Sequence, residues 1–182
     1  MKLNRLFISS LLTLAVITCG AITTEAQAGA ADREYKLKAA FLLNFSKFTT
    51  WPDDAFAQSP ENFDFCVAGQ DPFGSTLRGL ETKSVGGRQV RLRLLQSLEE
   101  TKGCHVIFVS KSEKSKLGKL QQIADGQPVV TVSDIEGFSS FGGTFEFITR
   151  AGRLSFIVNN GQAKKSGLQI NASLLNLAAE VL

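Results

Sequence analysis

Few side chains in this 182-residue sequence could carry out chemistry, and their positions limit what that chemistry could be. The only histidine is His105, so a metal site built on imidazole or a Ser-His-Asp triad would have to include it. This residue opens the most apolar predicted strand, at the end opposite the carboxyl edge where α/β proteins usually bind ligands. Its neighbour Cys104 would point to the other face of that strand. The pattern therefore favours a structural histidine.

The segment Gly69–Thr76 has the glycine spacing of a phosphate-binding loop between a strand and a helix. Ser75 stands where such a loop carries its lysine. Asp71 also puts a carboxylate at the predicted helix start, where a phosphate would otherwise bind. These departures favour a tight turn before a helix that starts at Asp71-Pro72. Because no nucleophile, base and orienting group can be assigned together, we expect a protein with no enzyme activity, cofactor or metal.

Cys66 and Cys104 lie in or beside predicted strands, and two interpretations are open. Neighbouring strands could bring the two thiols together in a disulfide, which would stabilise the fold by roughly 4 kcal/mol in the chain-entropy model. Alternatively, both are buried free thiols that pack as small hydrophobic groups. The disulfide is the favoured interpretation.

Aromatic and basic side chains supply the candidate partner-binding residues. Phe138 and Phe141 belong to a glycine-rich segment, where exposed rings would suit a protein partner because aromatic residues dominate interface hot spots. Packing of both rings in the core is the alternative. Arg150, Arg153 and Lys164 are candidate contacts with an acidic partner, and solvated faces are the alternative for them.

The elements that position these residues alternate between helices and strands. An apolar stripe of Leu37, Phe41, Phe45 and Phe48 predicts a helix over Arg33–Thr50, which Trp51-Pro52 ends. Strands are predicted at Phe63–Val67, Val90–Leu94, His105–Val109 and Pro128–Val132, and capping boxes that start helices at Ser97, Ser110 and Ser133. This alternation predicts a single-domain α/β three-layer sandwich with a mostly parallel sheet and helices on both faces.

The end of the chain departs from this alternation of strands and helices. Thr144–Thr149 and Leu154–Val158 are separated by a four-residue turn, which predicts an antiparallel hairpin and hence a mixed sheet. A small helix or turn over Asn159–Ser166 and a short strand at Leu168–Ile170 follow. The last predicted element is a helix over Ala172–Leu182.

Residues 1–28 have the pattern of a cleaved signal peptide. Basic residues precede an apolar run over Leu6–Cys19 that is short for a membrane anchor, and Ala26-Gln27-Ala28 suits signal peptidase. Lipidation of Cys19 is the alternative. We therefore expect an exported domain over residues 29–182, not itself membrane-spanning, in an oxidising compartment. The formal charge of +3 without a basic run argues against nucleic acid as a partner.

Several sequence blocks resemble the YfiR-like (HmsC-like) family of periplasmic repressor proteins. They are Tyr35–Pro52, Phe65–Gly74, Gly103–Ser110, Val130–Asp134 with Gly137-Phe138, and Gly167–Ile170. The resemblance implies a non-catalytic regulator that represses the periplasmic sensor region of an inner-membrane diguanylate cyclase, lowering cyclic-di-GMP signalling and biofilm formation. It also implies sequestration by an OmpA-like outer-membrane lipoprotein and formation of a homodimer.

By position, Cys66 and Cys104 match the paired cysteines of that family. A second pair, present in some members near Ser139–Glu146, is absent from this sequence. The alternative function is a small-molecule-binding module that feeds a membrane-bound histidine kinase or another sensor. Its ligand would lie among the loops after Gly69, Ser110 and Ser133, at the carboxyl ends of the strands.

Overall fold

The structure is a computed structural model that describes residues 22–182, with side chains from residue 29 onward. Most of the expected signal peptide, including Cys19, lies outside the described residues. The chain divides into two units, one ending at Arg33 and the other comprising Glu34–Leu182. In the first unit the described residues are helical, and Arg33 Nε donates a hydrogen bond to the Gly29 carbonyl.

The elements of the described residues are as follows. The α-helices are α1 (Ile22–Lys47), α2 (Ser75–Arg78), α3 (Leu117–Ala124), α4 (Asn160–Lys165) and α5 (Ala172–Leu175). The strands are β1 (Thr49–Thr50), β2 (Asn62–Ala68), β3 (Ser84–Val85), β4 (Arg88–Leu95), β5 (Val106–Val109), β6 (Val130–Ser133), β7 (Phe145–Arg150), β8 (Arg153–Val158), β9 (Gln169–Ile170) and β10 (Glu180–Val181). Short 3₁₀ helices cover Asp53–Phe56, Gly79–Thr82, Leu98–Thr101 and Lys111–Lys116.

Eight of these strands form one mixed sheet in the order β10-β8-β7-β6-β5-β2-β4-β3. The central strands β4, β2, β5, β6 and β7 pair in parallel, and the β7–β8 and β3–β4 pairs are antiparallel. Along β2, Phe63 and Phe65 pack into a core cluster with residues of α1, while Cys66 and Ala68 pack into a second cluster with residues of α3. Helices therefore cover both faces, and the predicted α/β three-layer arrangement is confirmed.

The hairpin near the C-terminus also agrees with its prediction. Arg150 and Arg153 are the last register pair of β7 and β8, and the two residues between them make the turn. Ala151 (φ 49°) and Gly152 (φ 72°) both adopt positive φ values, as tight hairpin turns require.

The predicted stripe of α1 is partly wrong. Phe45 is fully buried, but Leu37 and Phe48 are 48% and 43% exposed. The buried side of the helix includes Leu42 and the charged residue Lys38. A lysine is a poor candidate for burial unless it is paired, so the pattern of apolar residues alone placed the buried face incorrectly.

The predicted capping boxes do not form. Ser97 and Ser110 make no side-chain capping hydrogen bond, and each precedes a 3₁₀ helix. No helix follows Ser133, whose hydroxyl instead donates to the Val109 carbonyl. Asp71 accepts a hydrogen bond from the Phe73 amide within a turn, and the helix α2 starts only at Ser75.

The predicted C-terminal helix is also wrong beyond its first turn. The helix α5 ends at Leu175, and β10 then pairs in parallel with β8 at the sheet edge. The Ala179 amide donates to the Phe156 carbonyl, so strand pairing replaces the helical bond at that point. Among the described residues, no helix combines the length and apolarity that crossing a membrane would require.

Candidate functional site

Asp134 follows the end of β6, at the carboxyl edge of the sheet, and its side chain is only 5% exposed. The Oδ2 atom accepts hydrogen bonds from Lys38 Nζ at 2.6 Å and from the Tyr35 hydroxyl at 3.0 Å. Lys111 Nζ lies 3.7 Å from the same oxygen, beyond hydrogen-bond distance, and its side chain is 67% exposed. The result is a charge cluster that joins α1 to the end of the central sheet.

Glu34 and Tyr35 both contact Lys38 because they lie four and three positions before it on α1. Lys38 Nζ also pairs with Glu34 Oε1 at 2.7 Å, and it lies 4.3 Å from the centre of the Tyr35 ring. With 3% of its side chain exposed, this lysine is buried between two carboxylates and an aromatic face. The ammonium group is therefore fixed in position by several contacts.

The two oxygens of Asp134 have different surroundings. Burial by itself raises the pKa of Asp134, but the hydrogen bond and charge of Lys38, with smaller contributions from Lys111 and Tyr35, outweigh it and lower that pKa. Burial and the same carboxylate raise the pKa of the Tyr35 hydroxyl, which remains a donor. Although the Asp134 carboxylate is ionised, its buried Oδ1 has no hydrogen-bond partner.

A cavity of about 330 Å³ lies next to this cluster. Its lining is made of charged groups from α1 and from the loops after β5 and β6, with an apolar wall from the hairpin: Glu34, Lys38, Lys111, Asp134, Glu136, Glu146, Phe147, Ile148, Thr149 and Leu154. The loops after Ser110 and Ser133 thus contribute to one cavity, as predicted for a ligand site. The loop after Gly69 lines a different cavity, of about 340 Å³.

Glu146, on β7, fixes the loop Gly137–Gly143, called here the aromatic loop. Its side chain accepts hydrogen bonds from the Gly137 amide at 2.9 Å, the Ser139 amide at 2.9 Å and the Ser139 hydroxyl at 2.6 Å. Asn159 Nδ2 donates to the Ser139 carbonyl at 2.9 Å from the other side. Four hydrogen-bonding groups of this short loop are thereby satisfied by protein groups, which fixes the loop conformation.

The two phenylalanines of the aromatic loop have opposite environments. Phe138 is 3% exposed and packs in the core, where a Cβ added at Gly143 would lie 2.1 Å from its ring. Phe138 therefore supports the loop from beneath and is not available on the surface. Phe141 is 61% exposed. The buried ring of Phe138 thus anchors the loop that presents the exposed ring of Phe141.

The basic candidates lie in two places. Lys164 is an exposed residue of α4, and Gln162 and Ser166 of that segment line a small cavity together with Phe141. Arg150 and Arg153 are exposed at the turn end of the β7–β8 hairpin, where Arg150 Nη1 donates to the Ala179 carbonyl. The structure therefore associates Phe141 with α4, and it gives the two arginines a separate location.

His105 has a structural environment at the amino end of the strands. Its Nδ1 accepts a hydrogen bond from the Asp64 amide at 2.9 Å, so Nε2 carries the proton and donates to the Ala55 carbonyl at 3.1 Å. The ring stacks on Phe56 and Phe63. Burial lowers the pKa of His105, against a smaller opposing effect from Asp64.

Asp64 and the cysteines complete this end of the sheet. Arg91 donates to both oxygens of Asp64, from Nε to Oδ1 at 2.6 Å and from Nη2 to Oδ2 at 3.0 Å. Cys66 and Cys104 form a disulfide with a Cα–Cα distance of 5.9 Å. In the part of the chain that the structure describes, no group of His, Cys, Asp and Glu side chains could hold a metal ion.

Sequence reasoning missed four buried charges: Lys38, Asp64, Asp134 and Glu146. Asp64 stands between Phe63 and Phe65 in the sequence, an alternation that is typical of a half-exposed strand with its charge in solvent. For Asp134 a signal exists, because an aspartate directly after a buried parallel strand lies where α/β sheets bind ligands. Glu146 and Lys38 each look like ordinary surface charges in the sequence.

The architecture defines an α/β domain with buried charge clusters at both ends of its sheet and an aromatic loop on its surface. A sequence profile of the YfiR/HmsC-like family matches residues 35–179, so the chain belongs to that family. The family comprises periplasmic regulators of cyclic-di-GMP signalling, which are not catalytic. No curated protein matches the sequence.

Two solved structures are similar to this chain at low identity. One is a conserved domain protein from Vibrio cholerae O1 biovar El Tor, with 9% identity and a TM-score of 0.49 over 67% of this chain and 55% of that one. The other is the ABC domain in complex with L-Trp from Streptococcus pneumonia, with 12% identity and a TM-score of 0.49 over 71% of this chain and 58% of that one. The chain thus spans little more than half the length of either structure, and these similarities are too low to inform function.

Proposed function

We propose that this protein is exported to the periplasm, where it binds the sensor region of an inner-membrane diguanylate cyclase and represses it. Repression would lower cyclic-di-GMP signalling and biofilm formation. Membership of the YfiR/HmsC-like family supports the regulatory role. The repressor would act by population shift, because it binds the inactive state of the sensor more tightly than the active state. Sequestration by an OmpA-like outer-membrane lipoprotein would release the enzyme, and a homodimer would be the free form.

The main support for a contact surface at the aromatic loop is the exposure of Phe141. The rest of the molecule holds this loop in place. An exposed ring of 61% accessibility offers a large apolar area to a partner. Because Glu146 and Asn159 already fix the aromatic loop, its ordering costs little when the partner binds. Lys164, on the neighbouring α4, would add attraction to an acidic partner surface, with Arg150 and Arg153 as a second basic contact.

The test compares Phe141→Ala with Phe48→Ala, since both rings are substantially exposed and only the first lies on the aromatic loop. Each variant replaces the wild-type gene, and cellular cyclic-di-GMP and the proteins that co-purify from the membrane fraction are measured. Phe141→Ala should weaken retention of the sensor by about tenfold or more and raise cyclic-di-GMP, as loss of a hot-spot residue does. Phe48→Ala should behave as wild type.

Two results would contradict this proposal in different ways. If deletion of the gene leaves cyclic-di-GMP unchanged, the protein does not regulate a cyclase. If deletion raises cyclic-di-GMP but Phe141→Ala still represses fully, the regulatory role stands and the aromatic loop is not the contact surface. Equal thermal stability of the two variants would show that neither result comes from unfolding.

A further inference from the structure

Asp134 lines the cavity described above, and one of its carboxylate oxygens is buried, ionised and not satisfied by any group of the described residues. The side chain of Asp134 is only 5% exposed, and its Oδ1 atom accepts no hydrogen bond. Leaving such a group unpaired destabilises the free protein. Buried polar groups without a partner are rare in folded proteins, and each calls for an explanation such as a bound molecule.

The charges around this oxygen indicate which kind of molecule would satisfy it. Four carboxylates and two ammonium groups line the cavity, so negative charge is in excess there. Lys38 is already paired with both Glu34 and Asp134 Oδ2. Lys111 approaches the carboxylate only to 3.7 Å and is 67% exposed, so it is held weakly and can swing away.

Part of the cavity lining is apolar. Phe147, Ile148 and Leu154 of the hairpin supply it, beside the charged residues of α1 and of the loops after the strands. A molecule that fills this space would therefore need a positively charged hydrogen-bond donor at one end and an apolar chain at the other. The volume of about 330 Å³ is that of a small-molecule site or of one long side chain.

We propose that this cavity binds an organic cation, a primary ammonium group on an aliphatic chain, with the ammonium donating to Asp134 Oδ1. To reach the Asp134 carboxylate the ligand displaces Lys111, whose ammonium group lies 3.7 Å from Oδ2 in the unliganded protein. This site is separate from the aromatic loop and does not depend on the identity of the partner. Free amines and the lysine side chain of a polypeptide share the required chemistry.

The experiment measures binding to the purified protein by calorimetry and by two-dimensional NMR. The probes are butylamine and Nα-acetyl-lysinamide, with 1-butanol as a neutral probe of the same length. Saturable binding of the amines, with shifts centred on Asp134 and Phe147 and none with butanol, is expected. Tighter binding of butylamine would assign the site to free amines, and tighter binding of Nα-acetyl-lysinamide to a lysine of a polypeptide.

Two substitutions act in opposite directions, which separates binding from folding. Asp134→Asn should weaken amine binding by about tenfold, since it removes the ionised acceptor. Lys111→Gln should tighten it by about threefold, because a competing cation is lost, and an unfolded protein cannot show such a gain. Lys114→Gln, the same change at an exposed lysine outside the cavity lining, should leave the affinity unchanged. No saturable binding, equal binding of butanol, or equal effects of the two lysine variants would overturn the proposal.

Discussion

Asp64 and Asp134 are both buried aspartates of the central sheet, one near the amino end of β2 and the other just after the carboxyl end of β6. Asp64 is paired on both oxygens by the guanidinium group of Arg91, and its backbone bonds with His105. Asp134 has two donors on Oδ2 and none on Oδ1. The two side chains are buried to nearly the same extent, but the hydrogen-bonding capacity of the Asp64 carboxylate is used on both oxygens and that of Asp134 on only one.

This difference distinguishes a structural charge from a candidate binding charge. A carboxylate that is fully paired inside the fold stabilises one conformation and has no capacity left for a ligand. One that is half paired costs stability in the free protein, which a ligand can restore. At the Asp64 end a disulfide also fixes the strands, so that end is the more strongly constrained of the two.

The largest expected effect is loss of the disulfide at the Asp64 end. The double variant Cys66→Ala and Cys104→Ala should lower the free energy of unfolding by about 4 kcal/mol, because the bridge closes a loop between residues 38 positions apart. Urea denaturation of the oxidised wild type and of the variant measures the difference. A loss of less than about 1 kcal/mol would contradict the view that this end is the constrained one.

Asp64→Asn tests the pairing itself. The amide cannot replace both carboxylate acceptors of Arg91, but the Arg91 side chain is 49% exposed and solvent takes up part of its charge, so we expect a loss of about 2–3 kcal/mol. Arg78→Met, a change at an exposed arginine that forms no ion pair among the described residues, should alter stability by no more than about 0.5 kcal/mol. Both values come from urea denaturation at pH 7.

The same substitution at the other aspartate should cost less. In Asp134→Asn the amide oxygen can still accept from Lys38 and Tyr35, and the amide nitrogen can occupy the unpartnered side, so a loss of about 1–2 kcal/mol is expected. If Asp134→Asn is as damaging as Asp64→Asn, the contrast between the two ends is wrong. Measuring both variants under one set of conditions decides this.

The smallest expected effect is a dependence of stability on pH that comes from His105. Burial holds the pKa of His105 below its ordinary value, so the unfolded chain takes up a proton first as the pH falls below about 6.5. This contribution to stability is therefore complete above pH 6.5 and decreases as the pH falls from there toward the pKa of the folded state. His105→Gln should remove this dependence. Because His105 is the only histidine, a slope that persists in the variant would show that another group is responsible.

Much of the sheet could be predicted because its strands are defined by local patterns. The continuous apolar run of Val106–Val109 predicts a central strand, and β5 does lie between β2 and β6 with all four residues buried. The hairpin follows from a short turn with a glycine. Helices were less well predicted, since Ser97, Ser110 and Ser133 have capping-box spacing but none of the three caps an α-helix.

The buried charges could not be predicted, for a physical reason. Lys38 is stabilised by Asp134, which lies 96 positions later, and Asp64 by Arg91, 27 positions later. No local pattern records such a partner, so each residue looks like part of a solvated face. For the same reason the sequence predicts a helix at the end of the chain, where pairing of β10 with β8 is a contact between distant segments. Of the three loops predicted to line one pocket, those after β5 and β6 share a cavity because the parallel sheet places their starts side by side, whereas the loop after Gly69 lines another.

The position of Trp51 gives this molecule a built-in optical reporter. It is the only tryptophan of the sequence, and its indole lies edge-on to Phe63 at 5.2 Å and to His105 at 6.0 Å between ring centres. Its indole N–H donates to the Ser46 carbonyl at the end of α1. Emission from Trp51 therefore reports on the histidine end of the sheet, so its fluorescence should change with the protonation of His105, whereas the occupancy of the Asp134 cavity calls for a separate probe.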